Sequence, residues 1–190
     1  SFRGFKGGDL YGVIEKLDYL EELGVNCLYL NPVFSSAANH RYHTYDYLEV
    51  DPILGGNEAL FSLIEKLHDR GMRIVLDAVF NHCGRGFWAF HNILENGKES
   101  PYLDWFLFHK WPINTFAKKN KDCGYSCWWN DPALPKFNHA NQYVRDYLMK
   151  VSTFWIEKGI DGWRLDVAEE VPSDFWIDFR KNIKKINNQS

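Results

Sequence analysis

The sequence predicts an α/β protein built around a parallel sheet, and two observations carry that expectation. Three times, an amphipathic helical segment ends at a glycine and runs directly into a short apolar strand. Those strands lack polar alternation, as strands covered on both faces of a parallel sheet do. Helices that alternate with such strands are βα units.

The first helix opens at Asp9, a side chain suited to capping, carries Leu10, Val13, Ile14, Leu17 and Leu20 on one face and stops at Gly24. The strand CLYL (27–30) follows and ends at Asn31-Pro32. A second helix opens near Asn57, shows Leu60, Phe61, Ile64 and Leu67 at helical spacing, ends at Gly71 and leads into RIVLDAVF (73–80). A third runs from about Asn141, places Val144, Tyr147, Leu148, Val151 and Trp155 on one face, and ends at Gly159 before GWRLDV (162–167). A fourth begins at Ser173 with Trp176, Phe179, Ile183 and Ile186 facing inward. The pattern breaks once, between Cys83 and Phe137, where a stretch rich in Trp, Asn, Lys and Gly has the look of an inserted subdomain. Arg180, Lys181, Lys184 and Lys185 in the last helix read as a solvated face, as do Lys118, Lys119 and Lys121 in the insert.

Composition narrows the function. With 45% hydrophobic residues the chain is not disordered, and 22 basic against 25 acidic residues give no footprint for nucleic acid. No run approaches the ~18–20 apolar residues of a membrane span. No basic-then-apolar leader opens the chain, so a reducing, cytoplasmic setting is expected. The aromatic share is high at 17%, which suits apolar cores and also stacking on flat ligands and sugar rings. Cys27 reads as a buried free thiol within an apolar run. Cys123 and Cys127 (CGYSC) read as two loop thiols, with a local disulfide the first alternative and zinc the weaker one, since no second Cys pair or local His accompanies them.

Three polar clusters interrupt the apolar pattern. In GWRLDV the strand period of two puts Arg164 and Asp166 on one face, opposite Trp163, Leu165 and Val167. A guanidinium beside a partly buried carboxylate keeps it ionised, as a nucleophilic Asp requires, although a structural ion pair has the same spacing. In RIVLDAVFNH the run turns polar at its end with Asp77, Asn81 and His82, where α/β proteins gather their sites. A lone His there also serves as a cap or packing residue. NHRYHTYDY (39–47) adds His40, Tyr42, His43, Tyr45 and Asp46, credible as a sugar-contacting loop and weak as a metal site.

These segments, in order, resemble the α-amylase family of glycoside hydrolases: GGDLYGVIEKLDYLEELGVNCLYLNPVF, RYHTYDYLEVDPILGG, DAVFNH, LPKFN (134–138) and GIDGWRLDV. LPKFN followed by GWRLDVAEE and PSDFW is most similar to the cyclomaltodextrinase, neopullulanase and maltogenic amylase group. The resemblance implies a partial (β/α)8 TIM barrel of about three to four βα units, formed by 1–82 and 138–190, with 83–137 inserted after the family's third strand. It implies retaining cleavage of α-glucosidic bonds in cyclodextrins, pullulan or maltooligosaccharides. Asp166 matches the catalytic nucleophile, Arg164 the arginine that orients it, and Asp77 the supporting aspartate of the first motif. His82 matches the histidine on the cleaved sugar, and Tyr42 the tyrosine stacked beneath it. Glu170 falls on the leaving-group side. Asn81 matches a calcium ligand of many α-amylases; the subgroup often lacks that site, so no metal or other cofactor is assigned. Glu169 and His43 depart from the subgroup, which usually has Asn and Asp there.

The family's acid/base Glu lies on the strand after the last one seen here, beyond Ser190. The first barrel strand would precede Ser1. The 190 residues alone are therefore expected to be inactive or nearly so. The exposed edges of a partial barrel are expected to favour self-association. A non-catalytic carbohydrate-binding or interaction module on the same scaffold is the alternative, and the joint presence of Asp166, Arg164, His82 and Tyr42 speaks against it.

Overall fold

The computed structural model describes residues 4, 6–118 and 120–187; Ser1, Lys119 and Ser190 lie outside the described residues. Asp9 caps the first helix as its residue type suggests, its carboxylate accepting the Gly12 N–H at 2.8 Å. The single expected helix is two short ones, α1 (Leu10–Ile14) and α2 (Leu17–Glu22), broken at Glu15-Lys16. Neither Gly nor Pro marks that break. Helices of one or two turns depend on the surface they pack against, and Leu10 and Leu17 are the residues that each buries.

Next comes β1 (Cys27–Tyr29), then an antiparallel ribbon of β2 (Phe34–Ser36) and β3 (Thr44–Val50) across the stretch read as a loop. Helix α3 (Gly56–Asp69) buries Leu60, Ile64 and Leu67 as expected, with Ala59 and Leu63 beside them. It leads into β4 (Arg73–Ala78). After α4 (Trp88–Asn96), helix α5 (Gln142–Glu157) is capped by Asn141, whose side chain accepts the Tyr143 and Val144 N–H groups. β5 (Gly162–Leu165) and α6 (Ser173–Ile186) complete the described chain. On α6 the buried face centres on Phe175, Phe179 and Ile183, whereas Ile186, expected on the same face, is exposed in the helix's last turn.

β1, β4 and β5 form one parallel sheet in the order β1-β4-β5, with Leu28 opposite Ile74 and Asp77 opposite Arg164. β1 and β5 are its edges. Cys27 is consequently exposed, contrary to the expectation of a buried thiol, because nothing among the described residues covers its side of β1. Cys123 and Cys127 are buried and are not joined in a disulfide. Lys118 and Lys121 are exposed.

Aromatic residues account for much of the core. Trp155 of α5 stacks near Phe34 of β2 at 5.3 Å and donates its indole N–H to the Tyr47 carbonyl at 2.8 Å. Trp163 lies 5.7 Å from Phe80. Residues 83–137 attach through a short antiparallel seam: Cys83 N–H donates to Pro135 O, and Phe137 N–H to Asn81 O. A web of rings including Trp88, Tyr102, Trp105 and Tyr147 seals it to α5. Gly84 is required at the seam, since a Cβ there would meet the His43 carbonyl oxygen at 2.6 Å. No helix among the described residues is long and apolar enough to cross a membrane.

Candidate active site

The parallel register sets the centre of the site. Asp77, near the carboxyl end of β4, is the Cα partner of Arg164 on β5, so the two side chains share one face of the sheet. Arg164 Nη1 lies 3.1 Å from both oxygens of Asp77 and 2.6 Å from Asp166 Oδ1. One guanidinium nitrogen thus bridges two carboxylates. Asp77 Oδ2 also accepts from the Tyr29 hydroxyl at 2.9 Å and the Tyr42 hydroxyl at 3.1 Å. Four contacts from three donors, three of them on Oδ2, hold this buried carboxylate.

Asp166 stands just past the end of β5, with its N–H donating to Ala78 O at 3.2 Å. The next residue, Val167, has φ 41° and ψ 49°, a strained left-handed conformation for a β-branched residue. That kink ends the strand and turns the chain away immediately behind the carboxylate. Asp166 Oδ2 is buried and has no hydrogen-bond partner. Burial raises the Asp166 pKa, the Arg164 hydrogen bond lowers it, and the charge of Asp77 raises it again. The net direction is upward. Arg164 favours the ionised form, while desolvation and the neighbouring carboxylate together set the upward direction. Burial also works against the charge of Arg164, but the hydrogen bonds and charges of Asp77 and Asp166 raise its pKa overall. Burial, reinforced by Asp77, raises the Tyr42 hydroxyl pKa, which keeps it a donor.

His82 follows β4 and is fully buried. Its Nδ1 lies 3.3 Å from Asn81 Nδ2, its Nε2 has no hydrogen-bond partner, and Trp128 stacks over the ring at 5.0 Å with planes within 6°. Burial, aided by the charge of His43, lowers its pKa to about 3, so the imidazole is neutral at ordinary pH. Tyr47 sets its height: its hydroxyl lies 2.8 Å from Val79 O and 2.7 Å from His82 O, tying the end of β4 down. Asn81 Oδ1 is also buried without a partner, but no three His, Cys, Asp or Glu side chains among the described residues gather to hold a metal ion.

The structure therefore joins Asp77, Arg164, Asp166 and Tyr42 through direct hydrogen bonds. Glu170 is not joined to them. It sits on a short turn after β5 and pairs with Lys136 of LPKFN at 2.8 Å, clamping that turn to the insert's return strand. Of the loop residues, His43 lends its backbone carbonyl to Ser36 Oγ at 2.7 Å, and its ring meets His40 edge-on at 5.0 Å. Sequence reasoning missed Tyr29, Tyr47 and Trp128. A hydroxyl-bearing side chain on an otherwise apolar strand was the signal for Tyr29; for Tyr47 and Trp128 there was none, since their partners are distant in the chain.

Buried carboxylates bridged by a guanidinium at the carboxyl ends of parallel strands stand where α/β proteins gather their functional sites. The chain belongs to the α-amylase family: the description "Alpha amylase, catalytic domain" matches residues 3–188. It is 46% identical over 183 residues to neopullulanase 2 of Thermoactinomyces vulgaris, covering 96% of this chain and 31% of that protein. It is 45% identical over 181 residues to a cyclomaltodextrinase of Thermoanaerobacter pseudethanolicus, covering 95% and 31%. The solved debranching enzyme of Nostoc punctiforme superposes with a TM-score of 0.94 at 49% identity, over 98% of this chain and 39% of that one. Cyclic α-maltosyl-(1→6)-maltose hydrolase of Arthrobacter globiformis, solved with its namesake sugar, gives 0.93 at 41% identity, over 98% and 41%. The chain thus spans about a third of the length of these curated relatives.

Proposed function

We propose that these residues are part of a retaining α-glucan hydrolase in which Asp166 is the nucleophile. One observation carries this reading: Asp166 has one oxygen held by Arg164 at 2.6 Å and the other buried with no partner. An oriented carboxylate with a vacant lone pair in a desolvated setting is what nucleophilic attack on an anomeric carbon needs. The relatives' names and ligands supply the substrate class: cyclodextrins, pullulan or maltooligosaccharides with α-glucosidic bonds.

In this mechanism Asp166 Oδ2 bonds to the anomeric carbon as the glycosidic C–O bond breaks, and the departing oxygen takes a proton from a second carboxyl group. Water then attacks the same carbon, gives its proton to that second group, and releases Asp166. Arg164 orients Asp166, and Asp77 holds Arg164. His82 Nε2 and the Tyr42 ring contact the sugar, with Glu170 toward the leaving group. The acid/base is not Asp77, which is tied to Arg164, Tyr29 and Tyr42, nor Glu170, which is bound to Lys136. It belongs to a further strand of a (β/α)8 barrel, of which 1–82 and 138–190 form a part and 83–137 the insert. The 190 residues alone are then expected to lack significant turnover.

The test uses the full-length protein and a 5-fluoro-α-glucosyl fluoride, which traps a glycosyl ester. The labelled peptide should contain Asp166, and Asp166→Asn should lower kcat by more than about 10⁴-fold. A label on another carboxylate, or product of inverted anomeric configuration, would overturn the assignment.

A further inference from the structure

Trp128 and Trp129 are adjacent in the turn before LPKFN, yet they are used differently. Trp128 covers His82. Trp129 packs beside Trp128, ring centroids 5.6 Å apart, and leaves 81% of its surface in solvent, more than any other large hydrophobic side chain among the described residues. An indole so exposed gains little from folding. Its backbone is also strained: Trp129 has φ 50° and ψ 31°, and Asn130 follows at φ 59°. Asparagine tolerates the left-handed region; an aromatic residue adopts it at a cost that glycine would avoid.

The turn is held firmly. Trp128 N–H donates to Leu134 O at 2.9 Å, Asp131 N–H to Trp128 O at 3.0 Å, and Ala133 N–H to Asp131 Oδ1 at 2.9 Å. It adjoins the same rim as the site. The Asp131 charge acts on His40 and His43, and His43 acts in turn on His82. Arg85, which donates its N–H to Ala133 O, lies beneath the exposed Phe116 ring at 4.0 Å. An aromatic path therefore leads from the buried imidazole through Trp128 to a solvent-facing indole.

We propose that Trp129 is a stacking platform for a glucosyl unit outside the cleavage site, and that it sets the preference for longer α-glucans. The inference rests on the hydrolase reading above. A glucopyranose ring presents C–H groups on its faces and hydroxyls around its rim. An indole face on the protein surface receives the former and leaves the latter in water.

The test compares full-length wild type with Trp129→Ala, Trp129→Phe and Trp129→Gly on maltooligosaccharides from maltotriose to maltoheptaose. Ala and Gly should raise KM for the longest substrates roughly five- to tenfold, moving kcat and the maltotriose KM far less. Phe should restore part of the loss. Gly, at ease at this φ, should melt no lower than wild type. Tyr143→Ala, an exposed control on α5, should leave all values unchanged. Equal KM for wild type and Trp129→Ala along the series would overturn the platform. So would an equal loss at every length with a lowered melting temperature, the mark of a structural role. If the wild type cleaves no glucan, the hydrolase reading fails separately. Calorimetric binding of maltoheptaose to wild type and Trp129→Ala then decides the platform.

Discussion

The Tyr29 hydroxyl donates to Asp77 Oδ2 at 2.9 Å, linking the edge strand β1 to a buried carboxylate on β4 that also holds Arg164. In the proposed hydrolase Tyr29 would be a positioning residue, since it reaches Asp166 only through Asp77 and Arg164. Tyr29→Phe should therefore lower kcat about tenfold with little change in KM, and destabilise the protein by about 1.5–3 kcal/mol, the loss expected for a hydrogen bond to a charged group. Tyr29→Ala should go further by exposing Asp77. Steady-state kinetics with parallel denaturant melts reads both effects. Equal falls in kcat and stability for Phe and Ala would locate the contribution in ring packing instead.

Asp166→Asn separates function from stability. The folded-state pKa of Asp166 is raised, so folding favours its protonated form, and the ionised form weakens the fold at every pH above that raised value. Asparagine cannot ionise. The variant should lose activity yet melt higher than wild type at pH 7, and the gap should close as pH falls into the carboxylate range. A variant that melts lower than wild type at neutral pH would show that the Arg164 bond outweighs desolvation. Active-site residues that oppose stability in this way are a familiar trade.

Histidines give the opposite pH signature. Burial lowers His82 to about 3 and His139 to about 4, from an ordinary 6.5. Both are neutral in the fold and take up protons on unfolding, so their contribution is complete above pH 6.5 and is lost as pH falls toward the folded values. Each should subtract about 1.4 kcal/mol per pH unit below 6.5. Urea melts of wild type, His82→Gln and His139→Gln from pH 7 to pH 5 measure it. Each variant should shallow the slope by one proton's worth; an unchanged slope would mean that the ring is already charged in the fold.

The local rules that read this sequence well are those that act within one turn or one strand. Asp9 and Asn141 cap their helices through their own side chains, Leu60, Ile64 and Leu67 declare their face by spacing, and the Arg164-x-Asp166 period survives to the strand's end. What stayed hidden depends on contacts between distant segments. The α1/α2 break has no glycine or proline to announce it. Tyr29 acts through Asp77, 48 residues on, and Trp128 through a seam that brings Lys136 beside His82. Cys27 was misplaced because an apolar strand looks the same whether a neighbour covers it or not. Many of the aromatic residues that suggested a sugar site form the core instead, with Trp155, Tyr47 and Phe34 at its centre.

The sheet's two edges carry the last expectation. β1 presents Tyr29 with 49% of its surface exposed and Cys27 beside it, and among the described residues the strand has a bonded neighbour only at β4. At the other side, β5 and α6 leave an open groove lined by Trp163, Leu165, Trp176, Phe179 and Ile183. Apolar edges with unpaired backbone groups recruit strands from whatever chain is available. In a full barrel those strands come from the same molecule. The 190 residues prepared alone should therefore self-associate, with apparent mass rising with concentration in light scattering coupled to gel filtration. Leu165→Lys, a half-buried position of β5 in the groove, should shift that equilibrium toward monomer if the β5 edge is the contact, whereas Tyr29→Lys should do so if β1 is. A strict monomer at high concentration would mean that the described elements close their own edges, and the partial-barrel reading would fall with it.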